Sequence, residues 1–260
     1  MTEMNDQWYR AALAEETEAF AGLIGRADLA TPVPTCPEWT LGELAAHVGR
    51  AHRWAAATVA TRAQLMLPFE QVEGLDMPEQ APKAADWLRE GATRLLDAQR
   101  DIEPDAAVWN WMQPGPALFW VRRMVNETAV HRADAAIATG TTYDLPAERG
   151  VEVLDEGLHL VSFAATRALA PKYVSLRGTG QTLHVCATDP DVAGRGEWLV
   201  HREPGMVRVE RGHADADVTL RGPLADLVLV MYRRVELDHP GVEIIGDRAQ
   251  MEHWREHSAM

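Results

Sequence analysis

The chain has 260 residues and a formal net charge of −14. Hydrophobic residues make up 47% of it, which is enough for a packed core and excludes an intrinsically disordered protein. The acidic balance argues against a partner that presents phosphates or anionic lipid, so we expect neither a nucleic-acid nor a membrane partner.

The first half of the sequence predicts a bundle of helices. Apolar residues recur at helical spacing over about 5–26, and a proline-rich loop over 31–37 interrupts that pattern. A second helix is predicted to begin at Thr40, because Thr40 and Glu43 have the spacing of a capping box. Further helices are predicted over about 82–100, 117–139 and 146–169.

Beyond about residue 170 the pattern changes to short alternating segments that are typical of strands. Helices are predicted among them over 224–235 and 247–257. The change predicts an α+β protein with a helical domain over 1–170 and an α/β domain over 171–260. The predicted strands cover 173–177, 183–187, 205–210, 217–221 and 242–246.

Two polar residues interrupt the apolar stripe of the fourth predicted helix. Glu127 and His131 are four residues apart, so their side chains lie one turn apart on the same face. A carboxylate left alone in a core costs several kcal/mol, so something must compensate its charge. Glutamate oxygen and histidine nitrogen are both good ligands for zinc and other transition-metal ions. This pair therefore indicates a candidate metal site.

A third candidate ligand, His47, falls on the apolar stripe of the second predicted helix. Facing helices of a bundle can place His47 against the Glu127–His131 pair, and two histidines with one carboxylate leave coordination positions open, as in catalytic sites. His52 lies roughly 140° further around the helix, so we expect it to lie off that stripe.

The same residues allow a simpler interpretation without a metal ion. A core histidine is more often hydrogen-bonded to the protein than bound to a metal, and Glu127 could pair with Arg122 or Arg123. Asp134 is either a residue that orients His131 or one partner of an exposed ion pair. Cys36 and Cys186 give no disulfide framework, and the N-terminus has no signal-peptide pattern, so we expect a cytoplasmic protein.

Three stretches of the sequence resemble the mycothiol-dependent maleylpyruvate isomerase family. They are Val-Pro-Thr-Cys-Pro-Glu-Trp-Thr-Leu-Gly-Glu-Leu-Ala-Ala-His from residue 33, Asn-Glu-Thr-Ala-Val-His-Arg-Ala-Asp-Ala from residue 126, and Ala-Asp-Val-Thr-Leu-Arg-Gly-Pro-Leu from residue 216. The resemblance implies a DinB-like four-helix bundle followed by a small α/β domain similar to sterol-carrier folds. It also implies a divalent metal ion, preferably zinc, on His47, Glu127 and His131, and mycothiol as thiol cofactor. Glu38 departs from the glycine that is usual in the family's loop.

This resemblance implies an enzyme in which a metal-activated, low-molecular-weight thiol acts as nucleophile. Addition to a conjugated double bond and release gives cis–trans isomerisation of a small unsaturated acid, whereas release of the adduct gives S-transfer to an electrophile. Arg233 and Arg234 are candidate catalytic residues that bind the substrate carboxylate, although solvated arginines at a helix end are the simpler interpretation. Two alternatives stay open: a binding protein with a degenerate metal site and a small apolar ligand, and a metal hydrolase or lyase that activates water.

Overall fold

The computed structural model describes residues 5–103, 106–112, 114–192 and 194–259. Contacts within it divide the chain into two units, Met1–Tyr143 and Asp144–Met260. The expected α+β architecture is confirmed, because long helices fill the first unit and a sheet with helices forms the second.

The first unit is a four-helix bundle in which both α1 and α2 pack on α3 and on α4. The Asn5 side chain caps α1, and the predicted capping box of Thr40 and Glu43 is present at the start of α2. Gly140 ends α4 in the left-handed conformation with φ of 66°. The helices are α1 Asp6–Ile24, α2 Leu41–Ala60, α3 Ala81–Arg100 and α4 Leu118–Thr139, and two short strands, β1 Ala107–Val108 and β2 Gly115–Pro116, pair beside them.

Gly49 allows α2 to lie directly against the indole ring of Trp87 on α3. A Cβ atom added at Gly49 would overlap that ring, whereas one added at Gly22 of α1 would meet nothing closer than 3.8 Å. We expect Gly49→Ala to lower the free energy of unfolding by about 1–3 kcal/mol. Gly22→Ala is the control, because alanine is the better helix former by about 0.5–1 kcal/mol. Urea unfolding followed by tryptophan fluorescence measures both, and equal midpoints would contradict this account of the packing.

The second unit is built on a five-stranded sheet with the order β5-β4-β3-β6-β7. Strand β3 pairs parallel with β6, and the other neighbours pair antiparallel. The helices α5, α7 and α8 each contact the sheet. The strands are β3 Gln181–Ala187, β4 Glu197–Glu203, β5 Met206–Arg211, β6 Val218–Gly222 and β7 Glu243–Gly246, and the helices are α5 Ala147–Thr166, α6 Pro171–Val174, α7 Leu224–Met231 and α8 Arg248–His257.

The structure departs from the sequence prediction at the start of the second unit. The strand predicted over 173–177 is wrong, because Pro171 opens the short helix α6 and its carbonyl accepts a hydrogen bond from the Ser175 amide. The predicted domain boundary near residue 170 also differs from the division after Tyr143. The physical reason is that α5 packs on β5 and α7, so this helix belongs with the sheet.

Strand β4 was not predicted, because its sequence mixes charged and apolar residues without a clean alternation. Arg202 of this strand is buried, and its guanidinium is satisfied by the Leu176 carbonyl and the Gln250 side chain. Among the described residues, no helix is long and apolar enough to cross a lipid bilayer.

Candidate metal centre and adjacent cleft

Three side chains that the sequence analysis singled out meet between α2 and α4. The Nε2 atom of His47 lies 2.8 Å from Oε1 of Glu127, and the Nε2 atom of His131 lies 3.3 Å from the same oxygen. One ligand atom from each side chain lies within 4.8 Å of the other two. The structure thus brings His47, Glu127 and His131 together, and their binding of a metal ion remains a prediction.

Asp134 orients His131 toward this meeting point. Its Oδ2 atom lies 2.8 Å from Nδ1 of His131, and Asp134 has no exposed surface. The Thr35 hydroxyl donates to Oδ1 of Asp134 at 2.5 Å, and the Cys36 thiol lies 3.8 Å from Oδ2. A carboxylate accepts the proton on Nδ1, so Nε2 is the nitrogen whose lone pair is directed at the site. Histidines that bind metal ions commonly have such a carboxylate partner.

The contact between His131 and Glu127 requires a positive charge between them. In a neutral His131 ring, Nδ1–H donates its hydrogen bond to Asp134, so Nε2 carries only a lone pair. That lone pair and the Glu127 oxygen Oε1 repel each other unless a proton or a cation lies between them. Burial by itself disfavours the charged imidazole, but hydrogen bonds to Asp134 and Glu127 raise the pKa of His131 to about 9. In the metal-free protein that charge is a proton, and a divalent ion meets the same requirement with a donor set that suits zinc.

Arg123 pairs with Glu127, as the interpretation without a metal ion expected. Its guanidinium pairs with Oε2 of Glu127, which leaves Oε1 to the two imidazoles. Burial opposes ionisation of Glu127, yet the charge of Arg123 and hydrogen bonds from His131 and His47 hold its pKa well below the usual range. The ion pair therefore keeps Glu127 anionic without blocking the oxygen that faces the histidines.

A cleft of about 1210 Å³ opens beside His47 in the first unit. The His47 side chain is 39% exposed, whereas those of Glu127 and His131 are 16% and 11% exposed. A ligand in the cleft therefore reaches the group through His47, and the volume suits a molecule larger than a single amino acid. Its walls include Trp39, Ala46, His47, Arg50, Phe69 and Met77.

His52 is buried, although the sequence places it off the stripe that carries His47. Helix α2 packs against both α3 and α4, so its buried surface is wider than a single stripe. Nε2 of His52 lies 2.8 Å from the Thr128 hydroxyl, which itself donates to the Met124 carbonyl, so His52 is the donor in this pair. Burial, aided by the charge of Arg53, lowers the pKa of His52 to about 4, which makes it a neutral core residue.

Arg233 and Arg234 follow the end of α7 in the second unit. Arg233 is exposed, with φ of 65°, and it lines a pocket of about 300 Å³ together with Glu236, Glu252 and Arg255. The Arg234 guanidinium donates to the Tyr232 carbonyl at 2.7 Å. Their role in binding a carboxylate remains a prediction.

Replacing Asp134 by asparagine tests the orientation of His131. We expect zinc affinity to fall about 10- to 100-fold, because the neutral amide neither fixes the tautomer nor strengthens the ligand. Competition with a chromophoric chelator measures the affinity, and far-UV circular dichroism checks the fold. Asp86→Asn, at an exposed aspartate paired with Arg89, is the control. Unchanged zinc affinity in folded Asp134→Asn protein would show that Asp134 has no such role.

Comparisons with known proteins cover both units. The mycothiol maleylpyruvate isomerase N-terminal domain matches residues 10–136, and the MDMPI C-terminal domain matches residues 144–253. Crystal structures of a mycothiol-dependent maleylpyruvate isomerase and of its histidine-to-alanine mutant resemble this chain with TM-scores of 0.56 and 0.57 at 17% and 16% identity. Each alignment covers 94% of this chain and 95% of the other, and at this identity the likeness shows the fold. No protein of curated function matches the sequence significantly.

Proposed function

Since the chain belongs to the mycothiol-dependent maleylpyruvate isomerase family, we propose that it is a metal-dependent enzyme that isomerises a small unsaturated acid with mycothiol or a similar thiol. The observation that carries this proposal is the meeting of two imidazole nitrogens and one carboxylate oxygen at the wall of an open cleft. Three protein ligands leave a coordination position for a further group, as in catalytic rather than structural zinc sites.

In this proposal His47, Glu127 and His131 hold the ion, which is zinc or a similar divalent metal. A metal ion bound there supplies a positive charge that lowers the pKa of a coordinated thiol, so that it is a thiolate at neutral pH. Mycothiol, when bound, supplies the nucleophilic sulfur for the isomerisation.

The protein's own residues set the geometry and the charge of this site. Asp134 fixes the His131 ring, and Arg123 keeps Glu127 ionised through the oxygen that faces away from the histidines. Trp39 shields one side of the group, because its ring centroid lies 4.9 Å from that of His47 and 6.1 Å from that of His131. A shielded site strengthens every electrostatic interaction within it.

A carboxylate substrate needs a cationic partner. Arg50 brings a guanidinium to the wall of the cleft that His47 also lines, and its Nε atom donates to the Leu75 carbonyl at 3.0 Å. We propose Arg50 as a carboxylate-binding residue of this cleft. Arg233 and Arg234 remain the proposed carboxylate-binding residues of the second unit.

The test is an isomerisation assay on zinc-loaded, full-length protein with maleylpyruvate as substrate. We expect the trans isomer to form when mycothiol is added, and not with S-methylated mycothiol, which lacks the nucleophilic thiol. Accumulation of a stable thiol adduct, detected by mass spectrometry, would instead indicate an S-transferase. Thiol-independent hydrolysis products would indicate a metal hydrolase, and either result would overturn the isomerase proposal.

A further inference from the structure

A second group of two imidazoles and one carboxylate lies in the second unit, on the sheet. Nε2 of His184 lies 2.9 Å from Oε2 of Glu197, and Nδ1 of His213 lies 2.6 Å from the same oxygen. One ligand atom from each residue lies within 4.8 Å of the other two, and the two rings meet edge to face at 5.1 Å. The isomerase site uses none of these residues.

Strand register brings these residues together. Cys186 on β3 pairs with Glu197 on β4, and His184 is two residues before Cys186, so His184 and Glu197 point to the same side of the sheet. Trp198, the next residue on β4, points to the other side, where its indole donates to Asp155 of α5 at 3.0 Å. The group therefore lies on the face opposite α5.

His213 reaches the group from the end of β5. The Gly212 amide donates to the Glu197 carbonyl at 3.2 Å. Gly212 has φ of 146°, a backbone conformation that residues with a side chain rarely adopt. This glycine turns the chain so that the next residue, His213, lies over Glu197. The His213 side chain is 73% exposed, whereas that of His184 is 3% exposed, so the group has one buried and one accessible imidazole.

The arrangement repeats that of the candidate metal centre, in which two imidazoles also share one carboxylate oxygen. Tetrahedral zinc with bonds of about 2.1 Å separates neighbouring ligand atoms by about 3.4 Å, so the present distances need to widen by on the order of 0.5–1 Å. The exposed His213 side chain allows that movement.

A nearby pair between β4 and β5 provides a comparison with an ordinary ion pair. Nε2 of His201 lies 2.9 Å from Oε1 of Glu210. The second partner of Glu210 is the guanidinium of Arg208 and not another imidazole. A guanidinium has no lone pair to offer a cation, whereas a second neutral imidazole has one. Glu197 therefore has two imidazole partners that can each donate a lone pair to a metal ion, whereas Glu210 has only one.

From this geometry we propose that His184, Glu197 and His213 form a second site for a divalent transition-metal ion of the zinc, cobalt or nickel type. Imidazole and carboxylate donors suit these ions, and three ligands at a partly exposed position leave room for water. The site is formed by the second unit alone and does not depend on the proposed isomerase activity.

The test counts metal ions per chain. Full-length protein without a histidine tag is stripped with a chelator, dialysed against Co²⁺ and analysed by mass spectrometry of the metal. We expect two equivalents in the wild-type protein, one in His213→Ala, one in His47→Ala and none in the double variant. His201→Ala is the matched control and is expected to keep both equivalents.

Each outcome decides between the two sites. His213→Ala with the wild-type number of ions would overturn the second site, and so would a His47→Ala protein that binds none. Loss of one equivalent only in His213→Ala would leave the second site standing and remove the first. His213 is exposed, so its replacement is expected to leave the fold intact. His184→Gln gives an independent check, and it must also lose one equivalent in protein with a native circular dichroism spectrum.

Discussion

Replacing His47 by alanine is expected to remove the metal ion of the first unit and to lower thiol-dependent turnover at least about 100-fold. A catalytic metal supplies several kcal/mol of transition-state stabilisation, and each 1.36 kcal/mol is about tenfold in rate. His47 is the best ligand to remove, because its side chain is 39% exposed at the cleft wall and its loss leaves the core packing in place. Glu127 and His131 alone hold a transition-metal ion weakly, since two protein ligands seldom make a stable site.

Two further variants make this result specific. His47→Cys restores a zinc ligand through its thiolate, so we expect metal content to recover. His159→Ala removes an exposed histidine of α5 and is expected to change neither metal content nor turnover. Zinc per chain and the initial isomerisation rate are the measurements. A His47→Ala protein that keeps its zinc and its rate would show that His47 is not a ligand. One that keeps zinc but loses turnover would assign His47 another role in the reaction.

Helical periodicity predicted which residues of the candidate metal centre share one helix face. The spacing of Glu127 and His131 fixed their common face, and the structure confirms that face. His47 needed one further assumption, that the second and fourth helices pack together, which they do. The role of Asp134 stayed open, because a residue three positions from His131 can point to the histidine or to solvent. Tertiary packing, which covers Asp134 completely, decided it.

The second group of two histidines and one glutamate could not be predicted from the sequence. His184, Glu197 and His213 lie on three segments whose meeting depends on sheet order and strand register. Residues on one helix are placed by a fixed period, but a one-residue shift in register moves a strand's side chains to the opposite face. Strand β4, which carries Glu197, was itself not predicted. The cluster could therefore be found only in three dimensions.

A buried ion pair joins α1 to α4 within the first unit. Nε of Arg132 lies 2.7 Å from Oε2 of Glu16, and a second guanidinium nitrogen lies 3.4 Å from Oε1. Both residues are buried, and the guanidinium carbon lies 4.7 Å from the ring centroid of Tyr143. Arg132 follows His131 directly, so this pair holds the helix segment that carries the proposed ligand.

Glu16→Ala is expected to lower the free energy of unfolding by about 3–5 kcal/mol, because it removes a buried carboxylate that is paired with the buried charge of Arg132. That is a large part of the roughly 5–15 kcal/mol that stabilises a typical domain, so the bundle should be the first part to unfold in urea. Glu18→Ala is the matched control, since Glu18 lies on the same helix and pairs with Arg89 at the surface. Its loss should cost about 1 kcal/mol or less. Urea midpoints from tryptophan fluorescence measure the difference, and similar losses in the two variants would show that burial does not set the strength of the Glu16 pair.

Zinc at 100 times its dissociation constant should restore about 2.7 kcal/mol to Glu16→Ala, because ligand binding stabilises the folded state alone.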